Sequence, residues 1–406
     1  MATSVSLDVA GQFPILGRPG LVYLDSAATA QTPTPVLDAM DRIYRESNAN
    51  IHRGVYPLAQ EATEAFEGAR RVVADWIGSS VEETIFTKNA TEAINLVAYS
   101  WGRRNVSAGD RVLITEMEHH SNIVPWQLLC AEVGAELRYV PVRDDFTLDL
   151  DALDRELASG VKLLAITDTS NVLGTVNPLS EIIPRAHDAG ALVLVDGAQA
   201  VPHHRVDVRA LDADFYAFTG HKVYGPTGIG VLYARRSLLE EMPPFLGGGD
   251  MISRVDFFES RWNALPWKFE AGTSPYVEAV GLGAAVGWLS SLGIAAVEEH
   301  ESSLVRYALD RLGEVDGVSI IGPGWSESRG TAISFAVDGV HPHDVAEILA
   351  RDGVCVRAGH HCAMPLMRAL GVPATSRASI GVHNGTGDVD RLVDGLAEVK
   401  RIFADG

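Results

Sequence analysis

One cluster in the sequence combines a thiol with imidazole groups. The stretch RAGHHCAMPLM, residues 357–367, places His360 and His361 directly before Cys362. These residue types serve three purposes in proteins: metal binding, a reactive thiolate, or ordinary packing of a small apolar side chain. Three consecutive side chains do not converge on one ion, and no second cluster completes a ligand set. We therefore predict no metal site, which leaves a reactive thiol and a packed thiol as the two interpretations.

The other two cysteines have different surroundings. Cys130 lies in the helical pattern WQLLCAEVGAEL, and Cys355 lies between two valines in a strand-like run, so both are predicted to be inert small hydrophobes. Cys362 instead follows two imidazoles and Arg357, and such surroundings favour a reactive thiolate. Three cysteines cannot all pair and no CxxC motif is present, which indicates a reducing compartment with at least one free thiol.

One lysine is placed where covalent cofactor chemistry is possible. Of the five lysines, only Lys222 directly follows a predicted core strand among polar residues, in FYAFTGHKVYGPTGIGVLY. Desolvation or a nearby cation lowers the pKa of such a lysine and lets it form a Schiff base with an aldehyde cofactor. The glycines after it are not a dinucleotide fingerprint, because a strand rather than a helix follows. Taken alone, Lys222 is better explained as a turn lysine facing solvent.

Polar residues at the ends of other strands match what pyridoxal phosphate requires. Asp196 ends the run LVLVD and can keep a pyridine nitrogen protonated. Asn171 can donate to a ring oxygen, and Thr91 at a strand-to-helix junction is suited to a phosphate group. His119 and His120 follow another strand, and one imidazole can stack on a cofactor ring. Each residue alone has an ordinary structural explanation, but five strand ends of this kind together favour the cofactor.

The elements that must position these residues alternate between strand and helix. Apolar, β-branched runs predict strands at 83–87, 110–117, 161–168, 191–198, 214–220 and 228–235. Helical patterns lie between several of them, and strands that are apolar on both faces indicate a mostly parallel sheet covered by helices. The sequence therefore predicts an α/β fold, with ligands outside the carboxyl ends of the strands.

The pattern changes near residue 285. Residues 283–315 are predicted to form one long helix, followed by strands within 331–339 and 353–359 and a final helix over 388–403. We predict a large domain over 20–285. A smaller α+β domain over 286–406, together with residues 1–19, would carry Cys362.

Composition narrows the range of partners. The net charge of the 406 residues is −20 and no basic run stands out, so nucleic acid is not expected as a partner. No apolar run approaches the ~20 residues of a membrane-spanning helix. The N-terminus lacks the basic start and apolar stretch of a signal peptide, which predicts a cytoplasmic protein.

Nine segments of the chain resemble, in order, the SufS-like cysteine desulfurases, which are class V aminotransferase members of the fold-type I pyridoxal phosphate enzymes. They are YLDSAATAQTP, NIHRGVYPLAQEATEAFEGAR, TEAINLVAYSWG, MEHHSNIVPWQ, SNVLGT, VLVDGAQAVPHH, FTGHKVYGPTGIGVLY, KFEAGTS and RAGHHCAMPLM. The resemblance runs from about residue 20 to the C-terminus. It implies a large domain built on a mostly parallel sheet of the seven-stranded type and a smaller α+β domain.

The resemblance also implies roles for individual residues. Lys222 would carry the cofactor, Asp196 would pair with the pyridine nitrogen, Gln199 would contact the phenolic oxygen, His119 would stack on the ring, and Thr91, Thr219 and His221 would hold the phosphate. Arg377 would clamp the substrate carboxylate, with Asn171 and His52 nearby. Thr273 would reach the phosphate of a partner subunit, which implies a homodimer. In one departure from the family pattern, His383 stands where tyrosine is expected.

The implied reaction is removal of sulfur from L-cysteine. Lys222 would take the Cα proton, His119 would assist as acid or base, and Cys362 would accept the sulfur as a persulfide, leaving L-alanine. The short loop around Cys362 implies a protein acceptor, for iron–sulfur cluster assembly or another sulfur-containing product. The alternatives are a selenocysteine lyase acting on L-selenocysteine or another class V enzyme and, more remotely, a catalytically silent sulfur carrier or scaffold.

Overall fold

The computed structural model describes residues 7–326 and 329–404. The strands are β1 Val22–Tyr23, β2 Thr84–Thr87, β3 Arg111–Thr115, β4 Glu136–Val140, β5 Val161–Thr167, β6 Leu192–Asp196, β7 Phe215–Thr219, β8 Gly230–Ala234, β9 Ile252–Val255, β10 Ser260–Trp262, β11 Val318–Ile321, β12 Ala332–Val337, β13 Val354–Cys355, β14 Arg357–Gly359 and β15 Thr375–Ser379. The α-helices are α1 Thr34–Glu46, α2 Pro57–Trp76, α3 Ala90–Leu96, α4 Arg103–Asn105, α5 Val124–Val133, α6 Leu150–Leu157, α7 Leu179–Asp188, α8 Arg236–Glu241, α9 Tyr276–Leu292, α10 Ile294–Gly313, α11 Pro342–Arg351, α12 Met364–Ala369 and α13 Thr386–Ala404. A π-helical turn, Val97–Gly102, joins α3 to α4.

The larger sheet has seven strands in the order β2-β8-β7-β6-β5-β3-β4. Strand β8 is antiparallel to both neighbours, and the remaining pairs are parallel. All six predicted strands belong to this sheet, which confirms the predicted α/β fold. Strands β6, β7 and β8 are almost wholly buried because helices cover both faces. Strand β4 was missed by the sequence prediction because it lies at the edge and alternates exposed with half-buried residues.

A second, antiparallel sheet of four strands has the order β11-β12-β15-β14. Near it, β1 pairs in parallel with β13, with Val22 opposite Val354. Val22 and Leu24 belong to the same hydrophobic cluster as Phe335 of β12. Residues 22–24 therefore pack with the C-terminal part of the chain, although the sequence prediction placed them in the large domain. The division into domains stays a prediction.

The single helix predicted over 283–315 is wrong, because two helices occupy this stretch. Helices α9 and α10 meet at Gly293 with a bend of 78°, and Gly293 has a φ of 81°, which glycine adopts readily. Helix α9 packs against α1 and α2. Among the described residues no single helix is long and apolar enough to cross a membrane, and only the bent pair α9–α10 passes a test of length and composition.

The strand predicted over 353–359 is two short strands, which was not expected. Strand β13 pairs with β1, whereas β14 pairs with β15, so the chain changes partners at Val356. Strand β14 leads directly into the segment that holds His360, His361 and Cys362. We call residues 360–363 the thiol loop.

Candidate active site

A cavity of about 250 Å³ lies where the ends of the large-sheet strands meet the thiol loop. Its lining includes the predicted residues Thr91, His119, Asn171, Asp196, Gln199, Thr219, His221, Lys222, Cys362 and Arg377. These residues come from strand ends, from the thiol loop and from β15, so segments far apart in sequence converge here. The position of the cavity follows the rule that α/β sheets bind ligands beyond the carboxyl ends of their strands.

Lys222 lies at the end of the short 3₁₀ turn Gly220–Lys222 that follows β7. Its side chain lines the cavity, and burial lowers the pKa of its ammonium from 10.5 to about 8. Asp196 acts in the opposite direction because its carboxylate favours the charged amine, while Arg377 adds to the lowering. A lysine with such a pKa has a substantial neutral fraction near pH 8, as a nucleophile or base requires.

Asp196 is the last residue of β6 and is 5% exposed. Its Oδ1 accepts a hydrogen bond from the Ala198 backbone N–H at 3.0 Å. Burial raises the pKa of this carboxyl group, while the positive charge of Lys222 lowers it. The group is therefore a buried carboxyl that gains from a nearby cation, such as a protonated ring nitrogen.

His119 is held as a neutral ring. Its Nδ1 accepts a hydrogen bond from the Ser121 backbone N–H at 3.1 Å, so the proton of the neutral ring is on Nε2. Burial and the charge of Lys222 lower the pKa of His119 to about 3. The Ser121 hydroxyl lies 2.7 Å from Thr91 Oγ1, which connects the start of α3 to the imidazole. Ser121 was missed from the sequence, although a hydroxyl two residues after the histidine was a usable signal.

Hydroxyl and imidazole groups line the cavity at and just after the end of β7. Thr219 Oγ1 is buried and has no hydrogen-bond partner within residues 7–326 and 329–404. The Nδ1 atom of His221 lies 3.2 Å from Thr29 Oγ1, and burial together with Lys222 lowers the pKa of His221 to about 4. A buried hydroxyl without a partner is costly unless a ligand satisfies it. An oxyanion such as a phosphate group would do so.

Arg377 on β15 is 1% exposed and is held from two sides. Its Nη1 donates to the Asn171 carbonyl oxygen at 2.8 Å, and its Nη2 donates to Asp25 Oδ1 at 3.1 Å. Its Nε has no hydrogen-bond partner among the residues that the structure describes. Burial lowers the pKa of Arg377, but the pair with Asp25 opposes this. Asp25 and the second lining arginine, Arg357, were both missed as site residues.

The thiol loop has an uncommon backbone. His361 and Cys362 are consecutive non-glycine residues with φ values of 50° and 58°, in the left-handed region that costs about 1–2 kcal/mol per residue. Asn171 Nδ2 donates to the His361 carbonyl oxygen at 2.7 Å, and His361 Nε2 lies 2.8 Å from Thr375 Oγ1. These contacts hold the strained segment with the half-buried thiol of Cys362 at the cavity.

The other two cysteines do not line this cavity. Cys130 is buried on α5, and burial raises the pKa of its thiol to about 11. Cys355 on β13 is half-buried, and burial together with Asp25 raises the pKa of its thiol. Both features disfavour the thiolate, in agreement with the expectation that these two thiols are inert.

Two predicted site residues, His52 and Thr273, and the unusual His383 do not line the cavity of their own chain. The ring of His52 bonds to Glu67 Oε1 at 2.9 Å and packs against Trp267. Thr273 lines a separate cavity together with Lys88. His383, where the family resemblance predicted tyrosine, is buried under Phe13 with ring centroids 5.3 Å apart.

The donor set of the cavity fits pyridoxal phosphate. Lys222 offers an amine for the aldehyde, Asp196 a buried carboxyl for the ring nitrogen, and His119 a neutral imidazole for the ring face. The Thr219 hydroxyl offers an unsatisfied donor for the phosphate. Among the described residues no group of three or more His, Cys, Asp or Glu side chains is arranged to hold a metal ion.

Comparisons with known proteins agree with this architecture. The family model for aminotransferase class-V matches residues 22–392. A probable cysteine desulfurase of Halalkalibacterium halodurans is 50% identical over 397 residues, which cover 96% of this chain and 97% of the relative. The chain therefore belongs to the class-V aminotransferase family and, within it, to the cysteine desulfurases.

Solved structures give the same result. The apo structure of a cysteine desulfurase from Thermococcus onnurineus NA1 has a TM-score of 0.93 and 40% identity, covering 96% of this chain and 97% of that one. The cysteine desulfurase CsdA of Escherichia coli has a TM-score of 0.90 and 39% identity, covering 97% of this chain and 98% of that one. Both likenesses extend over nearly the whole chain, so they include both sheets.

Proposed function

We propose that the protein is a pyridoxal phosphate-dependent cysteine desulfurase that converts L-cysteine to L-alanine and takes the sulfur as a persulfide on Cys362. The observation that carries this proposal is that Lys222 and the thiol of Cys362 line one cavity. A lysine alone would suit many enzymes that use this cofactor. A half-buried thiol that lines the same cavity can act as the nucleophile that accepts a sulfur atom from the substrate.

Each residue of the cavity has a task that matches its surroundings. Lys222, Asp196, His119, Gln199 and the phosphate-end residues Thr91, Thr219 and His221 would hold the cofactor, which supplies an electron sink for charge developing at the substrate Cα. Arg377 would bind the substrate carboxylate through its guanidinium, with Nε and the second N–H of Nη2 as the available donors, and Asn171 steadies Arg377 through its carbonyl oxygen. Lys222, with its lowered pKa, would remove the proton from Cα.

The sulfur step balances without an added oxidant or reductant. The Cys362 thiolate attacks the substrate sulfur, so a new S–S bond forms while the bond between that sulfur and the substrate Cβ breaks. The electron pair of the broken bond stays with the carbon skeleton, which takes up protons to become L-alanine. Lys222 and the Nε2 proton of His119 are the nearby proton sources. The net change is L-cysteine and a thiol giving L-alanine and a persulfide.

A homodimer would complete the site. Thr273 lines a different cavity of its own chain and is exposed, so its hydroxyl would be accessible to the phosphate of a second copy. The hairpin β9–β10 carries Phe257 and Phe258 at its turn, and these side chains are 95% and 101% exposed. Exposed aromatic side chains of this size are typical of protein interfaces. A protein acceptor would collect the sulfur from Cys362, whose thiol is only half-buried.

The test measures alanine and protein-bound persulfide formed from L-cysteine by the purified yellow protein. Cys362→Ala should reduce alanine formation by at least about 10³-fold, as loss of a catalytic nucleophile does. Cys355→Ala, which removes a half-buried thiol outside the cavity, should behave like the wild type. Equal alanine formation by wild type and Cys362→Ala would reject the proposal. It would favour a lyase that needs no protein thiol, such as one acting on L-selenocysteine.

A further inference from the structure

His120 makes two hydrogen bonds to the segment that carries the thiol. Its backbone N–H donates to the Cys362 carbonyl oxygen at 2.7 Å. Its ring Nε2 accepts a hydrogen bond from the Met364 backbone N–H at 3.0 Å. The two contacts lie on either side of Ala363, so His120 holds the backbone at Cys362 and at Met364.

The thiol loop provides no side-chain cap for the helix that follows it. Helix α12 begins at Met364, and its N-cap residue is Ala363, whose methyl side chain makes no capping hydrogen bond. Alanine is a poor residue for this position because the first amide groups of a helix then lack a partner. The imidazole of His120 supplies an acceptor that the loop lacks.

His120 also links the two sides of the cavity. His119, its neighbour, lines the cavity with Lys222, and the ring centroids of His119 and His120 are 6.3 Å apart. Both histidines lie just beyond β3, in the turn that leads to α5. Two consecutive residues, His119 and His120, therefore connect the Lys222 side of the cavity to the thiol loop.

We propose that His120 is a positioning residue that sets the location of the Cys362 thiol by accepting the Met364 amide and holding the Cys362 carbonyl. The ring must be neutral to accept a hydrogen bond at Nε2. Burial and the nearby His360 lower the pKa of His120, which keeps the ring neutral at pH 7. The effect of His120 on sulfur transfer rests on the function proposed above, whereas its effect on the position of the loop does not.

Two amide variants form a matched pair for the test. The oxygen of His120→Gln reaches about as far from the backbone as Nε2 does, so it can accept the Met364 N–H. His120→Asn has the same functional group on a side chain one methylene shorter, so it falls short. His120 is only half-buried, and neither variant introduces a charge. The absorbance of the bound cofactor serves as the check that each variant is folded and loaded.

The readout is the rate at which iodoacetamide alkylates Cys362 in the loaded enzyme, followed by mass spectrometry of its peptide, with the Cys355 peptide as an internal reference. Loss of one hydrogen bond changes a local equilibrium by about fivefold, so His120→Asn should alkylate Cys362 about fivefold faster than the wild type. His120→Gln should stay within about twofold of the wild type. The rate at Cys355 should not change in either variant.

Turnover gives a second, independent readout. His120→Asn should lower kcat for alanine formation by about fivefold while KM for L-cysteine is unchanged, because the contacts of the substrate carboxylate are not touched. Alkylation of Cys362 at the wild-type rate in His120→Asn would overturn the inference, and so would a His120→Gln variant that behaves like His120→Asn. If the wild type formed no alanine, the proposed function would fail, yet the alkylation result would still decide the role of His120.

Discussion

The two side chains proposed to react, Lys222 and Cys362, are held in different ways. Lys222 ends the 3₁₀ turn Gly220–Lys222 that follows β7, an interior strand of the larger sheet, so regular structure holds the chain just before it. Cys362 lies between two short elements, in a loop with two consecutive left-handed residues. The loop is fixed by individual hydrogen bonds from Asn171, His120 and Thr375. One side of the cavity is built by a sheet, and the other by side chains that meet the loop.

The difference suits the two tasks. An amine that must work as a base near neutral pH needs a lowered pKa, and burial at the carboxyl end of a packed interior strand lowers it. A thiol that must accept sulfur and pass it on has to stay accessible, which excludes it from a packed strand. The left-handed backbone costs about 2–4 kcal/mol for two residues, and four hydrogen bonds at about 0.5–1.5 kcal/mol each offset that cost.

The largest predicted loss of activity comes from removing the amine of Lys222, on the side of the cavity that the sheet builds. Lys222→Ala should reduce alanine formation by at least about 10⁴-fold, because both cofactor attachment and proton removal at Cα are lost. Alkylation of Cys362 by iodoacetamide should stay within about twofold of the wild type, since the hydrogen bonds of the loop are untouched. Lys162→Ala, which changes an exposed lysine on β5, is the control. A large change in Cys362 alkylation in Lys222→Ala would show that the two sides are not independent.

Arg377 joins the two sides, because it lies on β15 and bonds to Asn171 and Asp25. Arg377→Lys should raise KM for L-cysteine by about 10- to 100-fold, since lysine cannot form the bidentate pair with a carboxylate. Steady-state kinetics with L-cysteine measure this directly. Arg368→Lys on α12, at an exposed position, should leave KM unchanged. An unchanged KM in Arg377→Lys would remove Arg377 from substrate binding.

The smallest effect concerns the titration of Lys222. Because burial lowers the pKa of its ammonium from 10.5 to about 8, the neutral amine becomes the major form as the pH rises through about 8. Covalent attachment of pyridoxal phosphate to cofactor-stripped protein should therefore reach half of its maximal rate near pH 8. The attachment can be followed by absorbance and trapped with borohydride for mass analysis. A midpoint above pH 10 would show that the cavity does not desolvate the amine.

The larger sheet could be predicted because its interior strands are uninterrupted apolar runs. Its edge strand β4 and the small-sheet strand β15 could not. Strand β15 reads TSRAS and looks like a polar loop, yet all five residues are buried because its neighbours β12 and β14 and the packing around Arg377 satisfy the polar groups. A strand made of polar residues is thus hard to recognise from the sequence when its hydrogen-bond partners come from distant parts of the chain.

The residues of the candidate site likewise fall into two groups, those that a local sequence pattern reveals and those that only long-range contacts reveal. Lys222 and Asp196 could be singled out because an unusual polar residue directly follows an apolar strand. Asp25 and Arg357 reach the cavity region only through the pairing of β1 with β13 and of β14 with β15, and no local pattern announces that pairing. The role inferred for His120 depends on a contact with Met364 across a sequence separation of 244 residues, which no motif specifies.

The pairing of β1 with β13 bears on the order in which the chain assembles. The strands of the larger sheet all lie between Thr84 and Ala234, so they emerge from the ribosome well before the partners of the N-terminal segment. Asp25 must wait for Arg377, which lies 352 residues later, and contacts so distant form late. We therefore expect a growing chain to place Lys222 after β7 before Cys362 is made, so that a chain truncated before β14 carries the amine with no sulfur acceptor beside it.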